Sequence, residues 1–142
     1  GPERQKAEQL CRELQLCDDV RFLGKQEAIE EILSVSDLFL MPSETESFGL
    51  AALEAMACQV PVVSSDAGGL PEVNIHGQTG FLAPVDDVAG MVQHSIHILN
   101  DEETLRSFRE EALKQALRFD LVNILPLYEH LYERTLAEAA LK

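Results

Sequence analysis

The sequence predicts an α/β fold built on an open, parallel, Rossmann-like sheet. Two observations carry this. Short apolar runs alternate with stretches of helical period along the chain. One run, Leu38 to Met41, is apolar at every position, as a strand covered on both faces reads. At 142 residues the chain is one domain's worth, long enough for a modest core.

In order, Glu3 to Leu16 is an amphipathic helix with Ala7, Leu10, Cys11 and Leu14 on one face. Val20 to Leu23 is a short strand stopped by Gly24. Gln26 to Ser36 is a helix that buries Ile29, Ile32 and Leu33. Leu38 to Met41 is the second strand, ended by Pro42-Ser43, and a helix from about Ser47 to Cys58 follows. Val60 to Val63 is the third strand, and Ala67 to Leu70 a loop. Pro71 suits the first turn of a short helix. Gly77 to Gly80 turns the chain into a fourth strand, Phe81 to Ala83. From Asp86 to Lys142 the chain is helical in at least three pieces. In the first of these Val88, Val92, Ile96 and Leu99 form the expected buried stripe, which places His94 and His97 outside.

The 25 acidic and 11 basic side chains give a net charge of −14, which repels polyanions. Nucleic acid is therefore not an expected partner, and no basic patch offsets the charge. No apolar run reaches the length of a membrane span and no signal-peptide pattern opens the chain, so the expected setting is the cytoplasm. Cys11, Cys17 and Cys58 lack zinc-ligand spacing and are expected to be reduced thiols, with no metal. Neither GxGxxG nor GxxxxGK[ST] occurs, which weighs against dinucleotide and P-loop chemistry.

In open α/β sheets ligands lie beyond the carboxyl ends of the strands. That directs attention to Gly24-Lys25, Pro42 to Gly49, Ser64 to Leu70, and Pro84-Val85. The second segment is the most informative. Ser47 is a candidate N-cap, which would leave the amides of Phe48, Gly49 and Leu50 at the positive end of a helix dipole. Such an end binds phosphate, and Gly49 admits close approach to the backbone. Glu46 precedes the cap and Glu54 follows one turn beyond Leu50. A sugar nucleotide suits this mixture, because amides serve its diphosphate while carboxylates accept hydrogen bonds from its diols. Acidic residues near a helix start are also explained by the dipole alone, and both explanations stand at this point.

The run Glu46-Ser-Phe-Gly-Leu-Ala-Ala-Leu-Glu54-Ala-Met-Ala resembles the E-x7-E motif of the family 4 retaining glycosyltransferases, which have the GT-B fold. Val20-Arg-Phe-Leu-Gly-Lys25, Asp37-Leu-Phe-Leu-Met-Pro-Ser43, Val60-Pro-Val-Val-Ser64, Gly68-Gly-Leu-Pro-Glu72 and Gly77-Gln-Thr-Gly-Phe-Leu82 follow in the family's order. Tyr128-Glu-His-Leu-Tyr-Glu133 resembles its last helix. Within the family, Phe-Leu-Gly-Lys-Gln26 and the run from Glu46 to Cys58 look most like members of the bacillithiol pathway. Those members transfer N-acetylglucosamine from a UDP-sugar to L-malate.

The resemblance implies that residues 1–142 are part of the C-terminal, nucleotide-sugar-binding half of a GT-B enzyme. Glu54 would hold the ribose hydroxyls. Glu46, the implied catalytic residue, would hold hydroxyls of the hexose. Ser47, Phe48, Gly49 and Leu50 would meet sugar and phosphate, and Gly24-Lys25 would line the uracil pocket. Ser43 and Thr45 could be auxiliary donors or turn formers. Gly68 and Gly69 would shape a loop, and Glu72 is explained by its helix's dipole. A small acceptor and no cofactor or metal are implied, since the leaving phosphate takes the acceptor's proton. The family's diphosphate-clamping Arg and Lys, its acceptor domain, and two strands between Val20–Leu23 and Leu38–Met41 would precede Gly1. A sheet without those strands must close the gap, exchange with another copy, or belong to a longer chain. A homo-oligomer is one such outcome. Alternatives are a non-catalytic module of the same fold and a hexosyltransferase acting on lipid or polysaccharide. Gln59 stands where the family usually has Gly, so a strained or differently capped turn is expected there.

Overall fold

A computed structural model describes residues 2–140. Its elements are α1 (Arg4–Glu13), α2 (Ile29–Leu33), β1 (Phe39–Met41), α3 (Leu50–Ala57), β2 (Val62–Ser65), α4 (Leu70–Val73), β3 (Gly80–Ala83), α5 (Val88–Leu99), α6 (Glu102–Arg118) and α7 (Leu121–Ala140). The three strands form one parallel sheet in the order β1-β2-β3. Leu40 is opposite Val63, and Val63 is opposite Phe81. Parallel pairing places the loops after all three strands at one edge of the sheet. The predicted α/β class holds.

The central strand β2 is buried at all four positions. Because successive side chains point to opposite faces, Val62 and Val63 enter two different cores. Val62 packs with Ala52, Met56, Leu70 and Val73 of α3 and α4, while Val63 packs with Ile98 and Phe108 of α5 and α6. Helix α6 serves both clusters, through Ala112 in the first and Phe108 in the second. Burying a side chain of this size contributes roughly 1.5–3 kcal/mol.

A buried polar clamp joins β2 to β3. Asn74, fully buried, donates from Nδ2 to Val62 O at 3.1 Å, Phe81 O at 3.0 Å and Ser64 Oγ at 3.0 Å. Its Oδ1 accepts from Thr79 Oγ1 at 2.9 Å. In α6, Gln115 donates to Val73 O at 3.2 Å, fixing α4 against α6.

Several expectations are corrected. Val20–Leu23 forms no strand, because it has no ladder partner among the described residues and its side chains are exposed. The helix expected over Gln26–Ser36 is the single turn-and-a-half of α2, and Ile29 is exposed. Strand β1 is an edge strand with Leu40 53% exposed, rather than one covered on both faces. The third strand starts two residues late, with Val60-Pro61 leading into it.

Helix α5 is rotated from its expected phase. Val88 and Ile96 are 70% and 59% exposed, and Met91, His94, Ser95 and Ile98 face inward instead. The ring of Phe81 on β3 determines this, since His94 stacks on it at 4.3 Å and 4°. Helix α1 begins at Arg4 after a turn at Pro2-Glu3, while Gly1, Leu141 and Lys142 lie outside the described residues. Among the described residues no helix is long and apolar enough to cross a membrane.

Candidate functional site

The site is assembled at the carboxyl end of β1. Residues 42–49 leave the strand, cross the sheet edge and enter α3. Helix α3 starts at Leu50, three residues later than expected. Gly49 interrupts the helical backbone with a φ of +102°, a conformation favourable only to glycine, and its carbonyl accepts the first helical bond from Leu53 N at 3.1 Å. Ser47 is therefore not the N-cap. It is exposed and its side chain makes no cap bond.

The amides preceding the helix are held by Glu46 instead. Its Oε1 accepts from Ser47 N at 3.0 Å and, more weakly, from Phe48 N at 3.4 Å. Glu46 is half-buried, so its carboxylate lies over its own loop. Phe48 anchors that loop from below through an edge contact with Phe119, ring centres 5.8 Å apart.

A second loop fixes the first. Gly69 N donates to Glu46 O at 3.3 Å. A Cβ on Gly68 would stand 1.6 Å from Glu46 O, and one on Gly69 would stand 2.7 Å from Ser47 O. Gly68 and Gly69 thus do shape a loop, and they do so by backbone-to-backbone contact with the segment bearing Glu46. The sequence separation hides this contact, although a Gly-Gly pair after a strand is its only local signal. The buried clamp of Asn74 has as its one sequence signal a single polar residue between Val73 and Ile75.

Glu54 is exposed on α3 and lines a cleft of about 340 Å³ with Leu53, Ala57, Leu117, Phe119 and Asp120. Leu50, one turn before it, is 66% exposed. Gly24 and Lys25 line a different cleft of about 750 Å³ with Arg4, Arg21 and Phe22, where the Arg4 guanidinium lies 5.8 Å above the Phe22 ring. The two clefts share no lining residue. The structure unites Glu46, Ser47, Phe48 and Gly49 with Gly68-Gly69, while Glu54 and Gly24-Lys25 line two different clefts. Among the described residues no group of three or more His, Cys, Asp or Glu side chains could hold a metal.

Residues 1–115 match the sequence family described as "Glycosyl transferases group 1". The chain belongs to that family. Among group 1 relatives, the N-acetyl-alpha-D-glucosaminyl L-malate synthase of Bacillus anthracis is 45% identical over 133 residues, which are 93% of this chain and 35% of that protein. The D-inositol 3-phosphate glycosyltransferase of Corynebacterium urealyticum is 36% identical over 136 residues, covering 93% of this chain and 32% of the relative. The chain thus spans about a third of the length of these curated relatives. Among solved structures, Anabaena Alr3699/HepE in complex with UDP superposes with a TM-score of 0.85 at 30% identity, over 93% of this chain and 38% of that one. The fold is that of the GT-B glycosyltransferases, as the sequence resemblance implied.

Proposed function

We propose that the chain is the donor-binding part of a retaining hexosyltransferase that moves N-acetylglucosamine from a UDP-sugar to a small acceptor such as L-malate. The observation that carries this reading is the 45% identity, over nearly the whole chain, to the Bacillus anthracis malate synthase. The UDP complex of the Anabaena neighbour supports UDP as the nucleotide.

The geometry gives the proposal its mechanism. The Glu46 carboxylate accepts hydrogen bonds from the amides of Ser47 and Phe48. A donor phosphate competes for those same amides, since a charged acceptor gains most from paired N–H groups. Displaced, Glu46 turns to the hexose and accepts its hydroxyls. Glu54, one helical turn beyond Leu50, receives the ribose diol. Catalysis then consists of positioning and of stabilising charge on the departing diphosphate, with the β-phosphate taking the acceptor's proton. No protein nucleophile is needed, and neither is a metal or cofactor. Gly24-Lys25, in the cleft it shares with Arg21 and Phe22, lines the uracil pocket in this reading, as the resemblance implies.

Calorimetric titration of the chain with UDP tests the donor reading, with weak but saturable binding expected. Incubation of the full-length enzyme with UDP-N-acetylglucosamine and L-malate tests the second part, with product expected there and none from these 142 residues alone. Absence of UDP binding overturns the donor site. Sugar transfer by the chain overturns its status as part of an enzyme.

A further inference from the structure

We propose that Cys11 and Cys17 form a thiol-modification site, a dithiol pair that reacts with a low-molecular-weight disulfide and closes into an intramolecular Cys11–Cys17 bond. The end of α1 builds this site. Gln15 adopts a left-handed backbone with φ 58°, and the chain reverses there. Leu16 N donates to Cys11 O at 2.9 Å and Gln15 N to Arg12 O at 3.1 Å, the paired bonds of a Schellman turn. That turn brings the residue after Leu16 back over Cys11. Both thiols accordingly line one cleft of about 200 Å³, with Glu8, Arg12, Val20 and Phe22 as its other walls.

The two sulfurs differ in a way that orders the chemistry. Cys11 is buried and Cys17 exposed. Burial pushes the Cys11 thiol up, and the hydrogen bond and like charge of Cys17 beside it push it further. Attack needs access to the reagent, so the exposed Cys17 reacts first. Its sulfur attacks the small disulfide RS–SR, forming Cys17–S–SR and expelling RS⁻. Cys11 then loses its proton to solvent and attacks the Cys17 sulfur, expelling the second RS⁻. Two thiols are oxidised to one disulfide and the reagent is reduced to two RSH. Excess thiol reverses the sequence.

The bond tethers α1 to the segment that runs on through Val20 and Phe22 to Gly24 and Lys25. Phe22 lines both the thiol cleft and the neighbouring Gly24-Lys25 cleft, so closing the first stiffens a wall of the second.

The test uses the whole chain with 2-hydroxyethyl disulfide, a neutral probe that the chain's negative charge does not repel. Trypsin cuts after Arg12, inside the loop the bond would close. The peptides on either side are expected to stay joined until a reductant is added. No reaction, a mixed disulfide that persists on Cys17, or a dimer linked through Cys17 overturns the proposal. Cys17→Ser, at an exposed position, is expected to leave Cys11 unmodified, and modification of Cys11 in that variant overturns the order of attack. Amide hydrogen exchange over residues 20–25 is expected to slow in the oxidised chain, and unchanged exchange overturns the tether.

Discussion

The Glu46 carbonyl occupies the space where a side chain on Gly68 would begin, 1.6 Å from an ideal Cβ. Two loops that end different strands are thereby locked backbone to backbone, and the carboxylate of Glu46 is aimed from a fixed base. Gly68 also has φ +54°, so two independent constraints exclude a side chain there.

Gly68→Ala is expected to displace the Glu46 loop. Left-handed strain alone costs about 1–2 kcal/mol, and the backbone clash adds to it. Urea unfolding should report the loss of stability, and UDP titration a fall in affinity of about tenfold or more. An alanine variant with unchanged midpoint and affinity would mean that the two loops do not lock.

Glu54→Ala is expected to weaken UDP binding by about 1.5–3 kcal/mol, the usual contribution of hydrogen bonds to a charged acceptor. Because Glu54 is exposed, the fold should survive, and circular dichroism can verify this before titration. Unchanged affinity in a folded variant removes the ribose role.

Gln59→Gly is expected to stabilise the chain. Gln59 has φ 62°, and Val60 N donates to Ala55 O at 2.9 Å while Gln59 N donates to Met56 O at 2.9 Å. This is a Schellman end to α3, with glutamine in the position that favours glycine. The strained turn anticipated at Gln59 is therefore present. Relief of the left-handed strain should raise stability by about 1 kcal/mol, or the melting temperature by about 3 °C.

His94 makes stability depend on pH. Burial holds its pKa below the usual imidazole value, and nearby His76 and His97 lower it further against the opposing pull of Asp87. The unfolded chain then binds a proton more readily than the folded one. Stability is full above the ordinary value of about 6.5 and falls as pH drops from there through the lowered folded value. His76 Nδ1 accepts a hydrogen bond from Leu82 N at 3.1 Å, which seats the ring beside His94. Thermal melts from pH 7.5 to 5 should show the decline. His94→Phe, which keeps the stack on Phe81, should flatten it in part.

The sequence carried the class of fold and the location of the site more fully than its details. The expected helix from Ser47 to Cys58 and the expected strands Leu38–Met41 and Phe81–Ala83 coincide within a few residues with α3, β1 and β3, because each is a short run bounded by its own Gly or Pro punctuation. Periodicity misjudged α5, where two apolar stripes compete and a ring on β3 chooses between them. Val20–Leu23 has the composition of a strand, yet pairing requires a neighbour that composition cannot supply. At the candidate site, the loop from Glu46 to Gly49 and the start of α3 were legible as a break between strand and helix because they are close in sequence. The Ser47 cap was not, since the decision rests on how a single glycine turns and on which carboxylate reaches the amides first. The lock between Gly68 and Glu46 spans two loops and leaves no periodic trace.

The open side of β1 has a consequence for copies of these 142 residues at high concentration. Its outer row of amides and carbonyls has no strand beside it among the described residues, and Leu40 is exposed beside that row. Another chain could add there at the ordinary strand spacing of about 4.8 Å. The net charge of −14 opposes that approach in dilute buffer, where repulsion between copies extends to roughly 30 Å. Physiological salt shortens its range to roughly 8 Å. Raising the ionic strength is thus expected to let copies of the chain approach this edge more closely.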